Sequence, residues 1–260
     1  MNFKSKLKRI FLLVCPILIL LAGICVKVPA ANAETQKTEF SAAEEKSVAN
    51  ATVKFFNSSR HFSCNVYVIS SGKGAILIDP GYYDGEIKKY IEKQGGLSAV
   101  LLTHGHWDHI FALDDLKADF PKADVYIFEK DYDFLTNPDL NCSAANGFQL
   151  ITKSDARKIQ EGTLKIGGFE IEVINTPGHT KGSVMYYFKN ENILFSGDTI
   201  LKDMTGPTFR PTGSDEDMKK SIKKFKSLGY SDRTPVYPGH REAATYGYIL
   251  LNNKDVKNVL

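Results

Sequence analysis

Cysteine is scarce in this chain: four occur in 260 residues, and two of those lie in the first 33 positions, leaving Cys64 and Cys142. That is a thin basis for a disulfide-stapled fold. A Cys64–Cys142 pairing stays open beside the reading of Cys64 as a buried residue of a strand-like run. No cysteine neighbours the histidines discussed below, which excludes a closed, cysteine-rich structural metal site. A surplus of positive charge is missing too. The formal charge is +3, but residues 1–33 carry five basic side chains and no acidic one, and without them the charge becomes −2. Net charge therefore gives no case for a nucleic-acid partner. No internal repeat appears, no composition break marks a second folded domain, and no proline interrupts the strand candidates.

The one long apolar run, Ile10 to Val26, follows Lys4, Lys6, Lys8 and Arg9 and precedes Ala31-Asn32-Ala33. A basic start, an apolar middle and a small-x-small end make up a secretory signal peptide, with cleavage expected after Ala33. A retained membrane anchor is the competing reading, although the run sits at the short edge for a span of ~20 residues. Ile24 before Cys25 is the wrong residue for lipoprotein processing. The expected location is secreted or cell-envelope, with membrane contact only through an uncleaved signal segment. Residues 34–50 are polar, lack apolar periodicity and read as a linker. Residues 51–260 are long enough for one sizeable domain.

Strand candidates are Cys64–Ser70, Ala75–Asp79, Ala99–Thr103, Asp124–Phe128, Phe169–Asn175, Ser183–Phe188, Ile193–Ser196 and Thr234–Tyr237, rich in Val, Ile, Tyr and Phe and bounded by Gly, Pro or Asn. Asp84 caps a predicted helix running to Lys93, with Gly95-Gly96 as its stop. Ser214 opens a second, with acids at its positive end and a stripe of Met218, Ile222, Phe225 and Leu228. A shorter helix is expected near Trp107. Strands flanked by helices bury their sheet faces against each other and against the helices, which a four-layer order of helix, sheet, sheet, helix satisfies.

Five of the six histidines fall in three short clusters: Thr103-His104-Gly105-His106-Trp107-Asp108-His109, Pro177-Gly178-His179-Thr180 and Pro238-Gly239-His240. Asp198 lies between the last two in Ser196-Gly197-Asp198-Thr199. The sixth, His61, reads as an ordinary packed residue. Imidazole is the commonest metal ligand, and with carboxylate it suits zinc and iron. His104 and His106 are two apart, so in extended chain both rings reach one ion, with Gly105 expected to permit a tight turn between them. Asp108 and His109, at the start of the short helix, point to the other side. This gives a first set of His104, His106, His179 and Asp198 and a second of Asp108, His109, His240 and Asp198, the Asp198 carboxylate bridging with its two oxygens. Each set leaves a position for water, as catalytic sites do. Asp79, where a strand meets Pro80-Gly81, is placed to accept the free ring N–H of a ligand histidine; an ordinary turn aspartate is the alternative.

These residues resemble the metallo-β-lactamase superfamily. His104-x-His106-x-Asp108-His109 followed by His179, Asp198 and His240 is similar to its full metal signature, over nearly all of 51–260. The resemblance implies an α/β (α+β) fold, the four-layer αββα sandwich, and a hydrolytic site of two divalent metal ions, usually zinc, sometimes iron or manganese. Asn65-x-Tyr67, Leu77-Ile78-Asp79-Pro80-Gly81, Leu140-Asn141-x-Ser143, Phe195-Ser196-Gly197-Asp198-Thr199, Val236-Tyr237-Pro238-Gly239-His240, Thr245-x-Gly247 and Asn252-Asn253 are similar to the glyoxalase-II-like branch. Two features depart from that branch. Only about 20 residues follow His240, too few for the helical region that grips glutathione in such enzymes, and Gly206-Pro207-Thr208-Phe209-Arg210-Pro211 differs from the Gly-Arg-Thr-Asp-x-Pro of related short members.

The expected activity is hydrolysis of an ester-like carbonyl in a small molecule, a thioester first, by a hydroxide bridging two metals. Asp108 is the expected catalytic residue, as ligand and as orienter or proton acceptor of the nucleophile. Asn141 and Tyr246 are expected to touch substrate, with the loop Asn137–Phe148 bordering the pocket. The alternatives are a β-lactamase or lactonase, a mononuclear iron persulfide dioxygenase, a nuclease, and a non-catalytic metal-binding module. Substrate identity and oligomeric state are not written in the sequence.

Overall fold

In the computed structural model the described residues are 45–48, 51–56, 64–72 and 74–259. The signal segment, His61 and residues 34–44 of the linker lie outside them. Among the described residues, thirteen strands form two sheets. The first contains seven, in the order β1 to β7: Glu45–Val48, Ala51–Phe56, Val66–Ser70, Ala75–Ile78, Leu97–Leu101, Asp124–Phe128 and Arg157–Ile159. The second is ordered β13-β12-β11-β10-β9-β8, with β8 Gly162–Ile166, β9 Phe169–Asn175, β10 Val184–Phe188, β11 Ile193–Gly197, β12 Pro235–Pro238 and β13 Ala244–Thr245. Helices are α1 Gly85–Lys93, α2 Trp107–Ile110, α3 Leu113–Asp119, α4 Asp215–Ser227, α5 Tyr246–Asn252 and α6 Lys254–Asn258. None of the described helices is long and apolar enough to cross a membrane.

The strand candidates become β3, β4, β5, β6, β9, β10, β11 and β12 with ends shifted by a residue or two. β1 corrects the linker reading: Glu45–Val48 pairs antiparallel with β2 over four residues. An edge strand is held mainly by backbone hydrogen bonds, so a polar stretch can supply one without apolar alternation. β4, β5, β6 and β7 are parallel, and the continuous apolar character of β4 and β5 follows from burial on both faces.

One core lies between the sheets. Val53, Tyr67, Ile69, Ile76, Ile78 and Leu101 of the first meet Ile171, Val173, Tyr186, Phe188, Phe195 and Tyr237 of the second. A further cluster joins the outer face of the second sheet (Ile174, Met185, Leu194, Val236) to Met218, Ile222 and Phe225 of α4 and to Tyr246, Ile249 and Val256. On the other side α1 buries Ile87, Tyr90 and Ile91. The order is helix, sheet, sheet, helix. Both helix starts are set by the residues expected: Asp84 accepts from the amides of Glu86 and Ile87, and Ser214 from Asp217, caps worth about 1 kcal/mol each.

Cys64 and Cys142 are both buried free thiols, so no disulfide links them.

Candidate metal centre

β4, β5, β9, β11 and β12 each end at one edge of the sandwich, and each hands the chain to a candidate residue. Asp79 follows β4, His104 and His106 follow β5, His179 follows β9, Asp198 follows β11 and His240 follows β12. The two sheets thus deliver side chains from distant stretches to one place. Ligand atoms of His104, His106 and His179 lie within 4.8 Å of one another, as do those of Asp108, His109 and His240, and those of His104, His109 and Asp198. Asp198 spans the groups: Oδ2 is 3.6 Å from His179 Nε2 and 3.5 Å from His240 Nε2, and Oδ1 is 3.6 Å from His109 Nε2. Asp108 Oδ2 is 3.1 Å from His240 Nε2. All seven sequence-predicted ligands converge.

The ring tautomers follow from the outer hydrogen bonds. His179 Nδ1 is 2.7 Å from the carbonyl of Pro207, so it donates there and leaves Nε2 a bare lone pair. His109 Nδ1 donates to Asp79 Oδ2 at 2.9 Å. Thr103 Oγ1 donates to Asp79 Oδ2 at 2.6 Å, so the 3.2 Å contact to His104 Nδ1 has the imidazole as donor. The remaining nitrogens crowd together: His109 Nε2 and His240 Nε2 are 3.3 Å apart, and His106 Nδ1 and His179 Nε2 are 2.9 Å apart. His104 Nε2, His106 Nε2 and Asp198 Oδ1 are buried without a hydrogen-bond partner. Converging lone pairs of this kind repel unless a cation sits among them, and imidazole with carboxylate is a donor set suited to zinc or iron. The residues fit a metal.

For His104 and His106 the protonation states agree, whereas, against burial, the anionic groups around His109 and His240 hold those two rings above the usual range. Burial, followed by the neighbouring imidazoles, holds His104 well below the usual histidine range. Burial and His179 push His106 down to about 3. Both rings are neutral, as ligands must be. Burial works against ionisation of Asp108 and Asp198, yet His109 and His240 outweigh it and hold both carboxyls below the usual range.

Asp79 holds the back of the site. Its backbone is left-handed at φ 54, a conformation that persists only where the surroundings over-determine it. They do: Oδ1 accepts from the amide of Thr103 at 2.7 Å, while Oδ2 accepts from Thr103 Oγ1 and His109. Replacing Asp79 by Ala is expected to lower metal affinity and turnover by about 10–100-fold, read by metal titration of the purified variant. Wild-type affinity in a folded Asp79→Ala protein would remove this role. The neighbouring Cys64 thiol donates to the carbonyl of Asp79 at 3.4 Å, and burial pushes it up to about 12, so it is a neutral packing group.

Gly105 needs a different reason from the one its spacing implies. It has no left-handed φ; a Cβ there would lie 2.3 Å from the Cβ of Phe134. Gly239 is constrained likewise, since a Cβ would stand 2.3 Å from Asp198 Oδ1 and 2.7 Å from His109 Cε1.

The two expected substrate contacts are corrected. Asn141 is fully buried. Its amide donates to the carbonyls of Phe134 and Leu150 and its oxygen accepts from Ser143, so it braces the loop that Cys142 and Asn146 present to the cavity. Tyr246 belongs to the cluster under α4, and its hydroxyl donates to the carbonyl of Phe225 at 2.7 Å. The cavity in front of the ligands holds about 570 Å³ and is walled instead by Trp107, Cys142, Leu201, Met204, Arg210 and Arg241, beside His106, Asp108 and Asp198.

One supporting residue escaped the sequence reading. Asp131, in the 3-10 helix Glu129–Leu135, is fully buried. It accepts from the amide of Gly105 at 3.1 Å, from Thr180 Oγ1 at 2.6 Å and from the amide of Gly182 at 2.8 Å. It therefore ties the His104–His106 loop to the loop of His179. Burial pushes it up to about 6 against those three donors. Only its company of short-range acids, Glu129 and Asp133, was visible, and that reads as a solvated face.

A family model described as the metallo-beta-lactamase superfamily matches residues 60–240. A probable metallo-hydrolase of Streptococcus pyogenes serotype M6 is 34% identical over 187 residues, which is 70% of this chain and 80% of the relative. Among solved structures, the BLEG-1 B3 metallo-beta-lactamase aligns with a TM-score of 0.69 at 34% identity, covering 75% of this chain and 95% of its own. The protein TTHA1623 in a di-iron-bound form aligns at 0.65 with 29% identity, covering 74% and 94%.

Proposed function

The chain belongs to the metallo-β-lactamase superfamily, and we propose that it is an exported hydrolase that uses two divalent cations to cleave an ester-like carbonyl, with thioesters as the substrate class. The observation that carries this reading is the sharing of Asp198 between two histidine groups. One ion would be held by His104, His106 and His179 and the other by Asp108, His109 and His240, with Asp198 serving both; the di-iron neighbour supports a pair. Bound there, such a pair supplies a water acidified towards neutral pH and a Lewis acid for the carbonyl oxygen.

The chain's own groups do the rest. Asp108 is one-fifth exposed, borders the cavity and is ionised, so it can orient the attacking water and take its proton. Asp79 fixes the tautomer and orientation of His109. Trp107, Leu201 and Met204 give the cavity apolar walls that seat the acyl chain and keep bulk water away. No protein nucleophile is needed. The glyoxalase-II-like motifs support a thioester, and the basic, apolar and small-residue order of 1–33 supports export. β-Lactam hydrolysis is the second reading, favoured by the likeness to a B3 metallo-beta-lactamase.

The test is to purify the chain, count its metals and offer a thioester, a lactone, a β-lactam and a persulfide in parallel. Two ions per chain with thioester turnover is the expected result. A protein with both sites filled that is inert to all four overturns the hydrolase proposal.

A further inference from the structure

Two cations line the cavity without any role in holding the histidine cluster. Arg210 and Arg241 both face it. Its carboxylates are Asp108 and Asp198, and each is committed to the ligand cluster, Asp108 at 3.1 Å and Asp198 at 3.5 Å from His240. Among the described residues Arg157 pairs with Asp124 at 2.9 Å, but neither Arg210 nor Arg241 is in an ion pair. Arg210 instead meets the neutral thiol of Cys142 and lies 5.7 Å from the ring centroid of Phe209.

Arg241 is held there at a cost. It is left-handed at φ 68, which disfavours a side chain of this size. The conformation is imposed from the first sheet. Asn65, at the entry to β3, donates Nδ2 to the carbonyl of Arg241 at 2.7 Å and to that of Pro238 at 3.1 Å, and its amide donates to the carbonyl of Gly239 at 2.6 Å. Tyr67 Oη donates to the carbonyl of Pro238 at 2.7 Å. The buried Asn65 and Tyr67 thus fix the chain on both sides of His240, and Arg241, an exposed residue, borders the cavity from that clamped turn. Cys142, which meets Arg210, is also left-handed at φ 65.

A guanidinium that lines a cavity and is paired with no carboxylate is a receptor for an oxyanion. We infer that Arg210 and Arg241 form a specificity subsite for an anionic group, carboxylate or phosphate, carried by the substrate beyond its scissile carbonyl. The inference rests on the hydrolase reading and narrows it to negatively charged thioesters.

Equilibrium binding to the metal-loaded protein separates the two. The probes are 3-(propylthio)propionate, its primary amide and 2-(propylthio)ethyl phosphate, thioethers with no thioester carbonyl to cleave, each recovered intact after the measurement. An anionic probe is expected to bind on the order of tenfold or more tightly than the amide, and the better of the two anions identifies the group. Arg210→Met and Arg241→Met should each erode that ratio, and the double variant should bring it near one, with melting temperature as the check on folding. Equal affinity of all three probes for the wild-type protein overturns the inference. So does a preference that survives in the double variant, since the cations at the histidine cluster would then be the receptor. Preferential binding of an anion without turnover of the matching thioester leaves the subsite standing and removes the thioester reading.

Discussion

Asp198→Ala is expected to empty the metal centre and abolish turnover together. This carboxylate lies within about 3.6 Å of both histidine sets, through Oδ2 to His179 and His240 and through Oδ1 to His109. Without it each set keeps three donors from the chain, but the negative charge that would lie between the two proposed cations is gone, and the repulsion between them would be unscreened in a buried pocket. The expected loss is at least about a thousand-fold in kcat/KM, with fewer than two ions per chain by elemental analysis. Asp198→Asn keeps the shape and removes the charge, so it should fall on the same side. His106→Ala is expected to show the same joint loss. A folded Asp198→Ala protein that retains both ions and wild-type turnover would refute the shared-ligand arrangement.

The second large effect is expected at Asp131, which touches no ligand directly. Asp131→Ala leaves the amides of Gly105 and Gly182 and the hydroxyl of Thr180 facing a void where a carboxylate stood. Each orphaned buried donor costs about 1–3 kcal/mol, so a destabilisation of about 3 kcal/mol or more is expected. For a domain of this size that is a fall in melting temperature of about 6–12 °C. The loops of His104–His106 and His179 lose their common tie, so affinity at their site should weaken more than at the Asp108–His109–His240 site. Thermal melts and stepwise metal titration read the two effects separately. An Asp131→Ala protein with unaltered melting temperature would sink the argument. The pH dependence carries a definite sign. Raised to about 6 in the folded protein, Asp131 keeps its proton where the unfolded chain has lost it, so its contribution to stability falls as pH rises through that interval.

Both predictions concern one site, yet only one was readable beforehand. Asp198 announces itself by company: it stands in Ser196-Gly197-Asp198-Thr199 just after the run Ile193-Leu194-Phe195, between two Pro-Gly-His motifs. Asp131 sits in Glu129-Lys130-Asp131-Tyr132-Asp133, where no local pattern distinguishes the buried acid from the exposed ones. Tertiary contact alone selects it. The same limit explains Asn141 and Tyr246, whose polar atoms are used up on backbone amides and carbonyls inside the fold. It also explains β7 and β8: Arg157–Ile159 is largely exposed, and Gly162–Ile166 shows only the short alternation of Leu164 and Ile166, half-buried against the core, so pairing with β6 and β9 is what makes them strands. The caps at Asp84 and Ser214, by contrast, act within three residues and are legible as such.

The strands run through the chain in one pass, β1 to β7 in the first sheet and β8 to β13 in the second, so the polypeptide is divided between the sheets at about residue 160. The N-terminal portion brings Asp79, His104, His106, Asp108 and His109; the C-terminal portion brings His179, Asp198 and His240. Each candidate ion draws on both portions. Two ions bound as proposed would reward the docking of the two halves in the correct register.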